Sequence, residues 1–186
     1  FNKIIERSRG VAKKLSGGIS GLLKKNKVEV IDGFANFVNK DKISIKKDGK
    51  EIEQIEASYF IVATGARARD IQGMEADGEL IWNYRTAMTP KALPKSILVV
   101  GSGAIGVEFA SFYKNMGAEV TIVEMAENIL PVEDEEISKL ARKSFEKQGI
   151  KIQTKAGLKA LKKGKNEVTA SVEIDGKVQE IKADRV

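Results

Sequence analysis

The stretch Ser96–Ala110, "SILVVGSGAIGVEFA", restricts the fold of this chain more than any other. Ser96–Val100 is a short apolar run rich in β-branched residues, which suits a parallel strand buried on both faces. Gly101, Gly103 and Gly106 follow as G-x-G-x-x-G. The first permits a tight turn, the second lets the backbone approach a diphosphate, and the third lets a helix pack closely on the strand. The helix is predicted to run to about Met116. Ile105, Phe109, Phe112 and Met116 recur at helical spacing, and Gly117 suits its C-terminal cap. Free amides and the positive dipole end at such a helix start favour phosphate. The fold class that follows is α/β, a Rossmann-like dinucleotide-binding fold. The competing reading is a glycine set that serves only helix–strand packing.

Context strengthens the first reading. A second strand, Glu119–Val123, ends at Glu124, 18 residues beyond Gly106. A carboxylate there accepts hydrogen bonds from the adenosine ribose hydroxyls. It repels a 2′-phosphate, and no Arg pair follows it, so the expected cofactor is NAD rather than NADP. Glu108, one turn into the helix, would repel the pyrophosphate. It is therefore expected to reach toward the positive ring of oxidised nicotinamide, or else simply to be favoured by the helix dipole. The acid run Glu133–Glu136 after Pro131 reads as a loop and helix start. Ile137, Leu140, Ala141 and Phe145 form the apolar stripe of that helix. Gly149 ends it, and residues 150–154 form a third parallel strand.

The fingerprint comes late, and an internal repeat explains why. Asp175-Gly176 is a hairpin signal between two strand-like runs, and Asp48-Gly49 is another. Residues 48–60 and 175–186 align with one gap, matching Ala57–Phe60 to Ala183–Val186. In the first copy the chain continues into "IVATGA" (61–66), predicted as a buried strand with a glycine turn. The pattern divides the chain into residues 1–85, the closing part of a first dinucleotide domain; 86–95, a linker; and 96–186, a second such domain without its last strand. Each part carries an antiparallel β-meander. Trp82, Tyr84 and Met88 are expected to pack against one of the domains. The fold is therefore expected to be incomplete and the chain an internal fragment.

Composition excludes several functions. The sequence has no Cys and no His, so thiol catalysis, thiolate metal sites and the commonest general base are absent from it. No catalytic residue and no metal site are expected. The net charge of +6 is mild, and its lysine clusters at 24–27 and 162–165 lack interleaved aromatics. They read as solvated surface, with no nucleic-acid partner. No apolar run is long enough for a membrane helix, so no membrane partner is expected.

The blocks "KKNKVEVIDGFANF", "YFIVATGARARDI" and "IWNYRTAMTPKALPKSILVVGSGAIGVEFA" resemble, in order and spacing, the flavin-dependent pyridine nucleotide–disulfide oxidoreductases, and among them the dihydrolipoamide dehydrogenase branch. The resemblance implies an FAD domain interrupted by an NAD domain, and a homodimer of the intact protein. It also implies hydride transfer between NAD and FAD, with a redox-active disulfide that takes electrons from dihydrolipoamide. That substrate is carried on the acyltransferase of 2-oxo acid dehydrogenase complexes or in the glycine cleavage system. By the same resemblance, Gly101, Ser102, Gly103, Ala104, Ile105, Gly106, Val107 and Glu108 would wrap the NAD pyrophosphate and reach the nicotinamide. Glu124 would hold the ribose, and Ala156 would meet the adenine region through its backbone. Ala35, Thr64, Gly65 and Ala66 would contact FAD. Ala68 and Gln72 depart from the family, which often has Pro there. The resemblance places the protein in bacterial cytoplasm, or in the mitochondrial matrix if it is eukaryotic. The alternatives are a sibling flavin-disulfide reductase, such as a mercuric reductase, and a stand-alone nucleotide-binding module without catalysis.

Overall fold

A computed structural model describes all residues, 1–186. In chain order the elements are α1 (Asn2–Lys25), β1 (Phe34–Asn39), β2 (Lys42–Lys47), β3 (Lys50–Glu56), α2 (Tyr84–Met88), β4 (Ser96–Val100), α3 (Ala104–Asn115), β5 (Glu119–Val123), α4 (Glu135–Lys147), β6 (Lys151–Gln153), β7 (Ala156–Lys163), β8 (Val168–Ile174) and β9 (Lys177–Ala183). They form two compact units, one of Arg7–Arg67 and one of Phe1–Glu6 with Ala68–Val186.

The Arg7–Arg67 unit contains most of α1 and an antiparallel sheet of order β1-β2-β3. The β2–β3 turn has Asp48 at φ 51° and Gly49 at φ 78°. Positive φ at both central residues is what a two-residue hairpin matching the strand twist requires. Only Ser44 and Ile45 are buried in this unit. The rings of Phe37 and Phe60 meet edge to face at 5.0 Å. α1 is a long helix with no buried residue.

The larger unit is built on a parallel sheet of order β4-β5-β6, in register from Ser96↔Glu119 to Val123↔Gln153. Strand alternation sends side chains to two faces. On one face Ile97, Val120, Ile122 and Ile152 join Val107, Ala110 and Tyr113 of α3, with Ala141 and Phe145 of α4 packed alongside. On the other face Leu98 and Val123 join Ala156, Ala170, Val172 and Ala183 of a second antiparallel sheet, β7-β8-β9. Helices, parallel sheet and meander thus make three layers. The β8–β9 turn repeats the β2–β3 turn, with Asp175 at φ 50° and Gly176 at φ 75°.

At the other edge of β4 the chain returns. Leu98 N–H donates to Arg185 O (2.9 Å), giving a parallel bridge between Ile97 and Arg185. Val186 is bonded in turn to Leu80 O (3.0 Å) and Trp82 N (2.7 Å). Asp77 holds that segment by accepting from the amides of Glu79, Leu80 and Ile81. Trp82 packs on Tyr113, with ring centroids 6.2 Å apart.

Three sequence expectations need correction. Residues 59–71 form no strand, and Ile61 is 95% exposed, because no strand of this chain lies beside the segment to complete its backbone pairing. In α3 the inward stripe is Val107, Ala110 and Tyr113, while Ile105 is 59% exposed beside the glycine turn. In α4, Ile137 and Leu140 face outward and Ser138 is buried, its hydroxyl donating to Leu130 O at 3.2 Å. Ala141 satisfies either stripe, so spacing alone does not choose between them.

Candidate functional site

The turn between β4 and α3 gives each glycine a physical task. Gly101 has φ 95°, a conformation L side chains rarely adopt, and its N–H donates to Val123 O at 2.9 Å. A Cβ on Gly106 would lie 2.2 Å from the Gly101 carbonyl oxygen and 3.4 Å from Val99 Cγ1. The helix therefore sits on the turn more closely than any side chain permits. A Cβ on Gly103 would meet nothing within 4 Å, leaving open space at the helix mouth. Gly103 is the N-cap of α3 and provides no side-chain cap. The first amides of the helix have no partner within it, and the dipole adds positive potential there. Gly103, Ala104, Ile105 and Glu108 present one exposed face at this end, whereas Val107 is buried in the core.

Glu124 leaves the end of β5 and folds its carboxylate against the same turn. Its Oε2 accepts from Ser102 N (2.8 Å) and from Ser102 Oγ (2.7 Å), and its Oε1 accepts from Ala126 N (2.8 Å). Partial burial opposes ionisation, but the donors at Ala126 and Ser102 outweigh it and hold the carboxyl below the usual range. Backbone bonds fix the surroundings. Glu124 N–H donates to Gln153 O, and Ala156 N–H donates to Glu124 O, both at 2.8 Å. Beside Ala156, Lys155 is paired with Glu127 at 2.7 Å. The result is a row of free amides next to a fixed, charged carboxylate. That arrangement fits a diphosphate followed by a sugar diol.

The structure thus brings together the Gly101–Glu108 turn, Glu124 and Ala156. Ala35, Thr64, Gly65 and Ala66 belong to the other unit. Ala35 pairs with Ile45 in the β1–β2 ladder, and Thr64–Ala66 are exposed with Gly65 at φ 72°. Residues 7–67 contain no glycine-rich strand-to-helix turn. Sequence reasoning missed the Ala126 amide and the buried Ser102 hydroxyl as partners of Glu124. Neither carries a sequence signal, because both depend on how β5 turns at its end.

Comparison with known proteins places the chain in a family. The chain is 46% identical to a dihydrolipoyl dehydrogenase of Rhizobium etli, over 98% of its own length and 41% of that protein's. It is 48% identical to one of Zymomonas mobilis, over 96% of its own length and 38% of that protein's. It therefore spans about 40% of the length of the curated relatives it matches. Among solved structures, LpdA from Mycobacterium tuberculosis superposes with a TM-score of 0.86 at 27% identity, covering 98% of this chain and 40% of that one. The HOCl-induced flavoprotein disulfide reductase RclA from Escherichia coli gives a TM-score of 0.80 at 28% identity, covering 97% and 40%. The model of the pyridine nucleotide-disulphide oxidoreductase family matches residues 2–186, and the chain belongs to that family.

Proposed function

We propose that this chain is the NAD-binding portion of a dihydrolipoyl dehydrogenase. The observation that carries the reading is the Glu124 carboxylate, fixed and charged against the uncapped start of α3. In the intact enzyme NAD exchanges hydride with FAD, which draws electrons from dihydrolipoamide through a disulfide. The residues here bind and orient NAD. The amides from Gly103 to Gly106 take the pyrophosphate, Glu124 accepts from the adenosine ribose hydroxyls, the Ala156 backbone borders the adenine, and Glu108 extends toward the nicotinamide. Ala35 and Thr64–Ala66 face FAD through their backbone. The reading keeps two dinucleotide domains, divided at residues 86–95. It also extends to a homodimeric parent acting on the lipoyl group of a 2-oxo acid dehydrogenase or glycine cleavage complex. A bacterial cytoplasmic setting is supported by the bacterial relatives. A chain without Cys holds no disulfide couple, so by itself it is expected to turn over no dihydrolipoamide.

A second reading, a sibling flavin-disulfide reductase, is favoured by the likeness to RclA. Both readings share the nucleotide site. Calorimetric titration with NADH and NADPH tests that site. NADH is expected to bind at least about tenfold more tightly, because a 2′-phosphate meets the carboxylate's charge. Glu124→Arg should reverse the preference. Equal or tighter NADPH binding by the unmodified chain would overturn the assignment.

A further inference from the structure

Ser102 occupies a variable position of the glycine motif, yet it is the most heavily tied residue of the turn. Its amide and hydroxyl both donate to Glu124 Oε2, and its carbonyl accepts from Leu130 N at 2.9 Å. It joins the glycine turn to both ends of the segment that follows β5. It is also fully buried, so it acts on Glu124 and not on a ligand. A carboxylate offers about four acceptor positions. Three hydrogen bonds reach the Glu124 carboxylate here, two of them from this one residue, and the Met125 amide adds a weaker contact.

The two amide donors, Ser102 N and Ala126 N, are set by the backbone and serve any residue type. The hydroxyl is the only donor to Glu124 that a side chain supplies. Without it, the carboxylate of a side chain with three rotatable bonds loses one of the two hydrogen bonds that Ser102 makes to Oε2.

We infer that Ser102 is a positioning residue for nucleotide choice: its buried hydroxyl fixes the Glu124 carboxylate in the orientation that accepts the adenosine ribose diol and excludes a 2′-phosphate. This rests on the assignment of Glu124 to the ribose. Replacing the hydroxyl weakens NADH binding, narrows the preference over NADPH, and lets Glu124 take up a proton at higher pH, since a donor to its charged form has gone.

The test compares Ser102→Ala, Ser102→Gly and Glu124→Gln with the unmodified 186-residue chain. NADH and NADPH dissociation constants are measured from pH 4 to 8, and the Glu124 carboxyl is titrated by carbon NMR without nucleotide. Ser102→Ala is expected to weaken NADH about tenfold, the range of a hydrogen bond to a charged group, and to leave NADPH nearly unchanged. Its loss of NADH affinity on acidification should begin at higher pH, matching an upward move of the carboxyl titration. In Glu124→Gln the further change Ser102→Ala should have little effect, because the two residues act as one unit. Ser102→Gly removes the same hydroxyl without adding a methyl and serves if the alanine variant does not fold. If Glu124→Gln weakens NADH while both Ser102 variants keep the affinity, the pH profile and the carboxyl titration unchanged, the role of Ser102 is refuted alone. If Glu124→Gln leaves NADH binding intact, or the unmodified chain does not bind NADH, the ribose assignment fails and this inference with it.

Discussion

At the scale of single residues, the glycines of the turn are predicted to separate folding from binding. The Gly101 carbonyl stands where a Cβ on Gly106 would go, and it cannot retreat without undoing the turn. Gly106→Ala should therefore lower unfolding stability by about 1–3 kcal/mol, the usual cost of forcing an extra carbon into a packed site, and abolish NADH binding. Gly103→Ala meets only open space. It should leave the denaturation midpoint nearly unchanged while weakening NADH, because on the proposed assignment the added methyl stands where the diphosphate approaches. Urea melts beside calorimetry check both, and similar melts for the two variants would contradict the steric account. Tyr113 lies in the core on the inward face of α3, and its hydroxyl donates to Ala87 O at 2.7 Å. Burial pushes its phenol up to about 12 from 10.0. The folded state thus favours the protonated form. That contribution is complete below about pH 10 and is lost as the pH rises from there toward 12. Tyr113→Phe should cost about 1–2 kcal/mol at neutral pH by leaving the Ala87 carbonyl without its partner. It should also flatten the alkaline fall in stability, which denaturation at pH 7, 10 and 11.5 reads directly.

At the scale of elements, legibility followed the strength of local signals. β4 and β5 were readable to the residue because Ser96–Val100 and Glu119–Val123 are dense β-branched runs bounded by glycine and charge. The two hairpins were readable because Asp-Gly is among the few residue pairs that readily take positive φ at both central positions of such turns. α1 was not foreseen. Gly10, Gly17, Gly18 and Gly21 interrupt it, each costing about 1 kcal/mol relative to alanine, although Ile4, Val11, Leu15, Ile19 and Leu22 recur along one face and none of them is buried. The helix faces were misjudged where two apolar stripes overlap, since Ile105, Ile137 and Leu140 match helical spacing as well as the residues that are in fact buried. Of the candidate site, the glycines and Glu124 were legible as types at a spacing. The Ser102 and Ala126 donors were not, because they arise from the backbone path after β5. Burial also predicts how the elements differ in stability. β1, β2 and β3 bury little beyond Ser44 and Ile45, whereas β4 and β5 are covered on both faces. Amide hydrogen exchange should show the strongest protection at Leu98, Val120 and Ile122, and much weaker protection in residues 34–56. Equal protection of the two sheets would contradict this.

At the scale of the whole molecule, the two units have unequal roles in the account. The larger unit combines a closed core with the glycine turn, the helix start and the fixed carboxylate. The Arg7–Arg67 unit contributes a meander and the exposed "ATGA" segment. The repeated hairpin chemistry at residues 48–49 and 175–176 makes the units look alike in sequence, but only the larger one carries a glycine-rich strand-to-helix turn. The most direct measurement is amide chemical-shift mapping of the isotopically labelled chain during titration with NADH. The largest perturbations are predicted at Gly101–Glu108, at Glu124–Ala126 and at Ala156, with residues 34–66 nearly silent. Perturbations concentrated in residues 34–66, or a glycine turn that does not move at saturating NADH, would contradict the central claim.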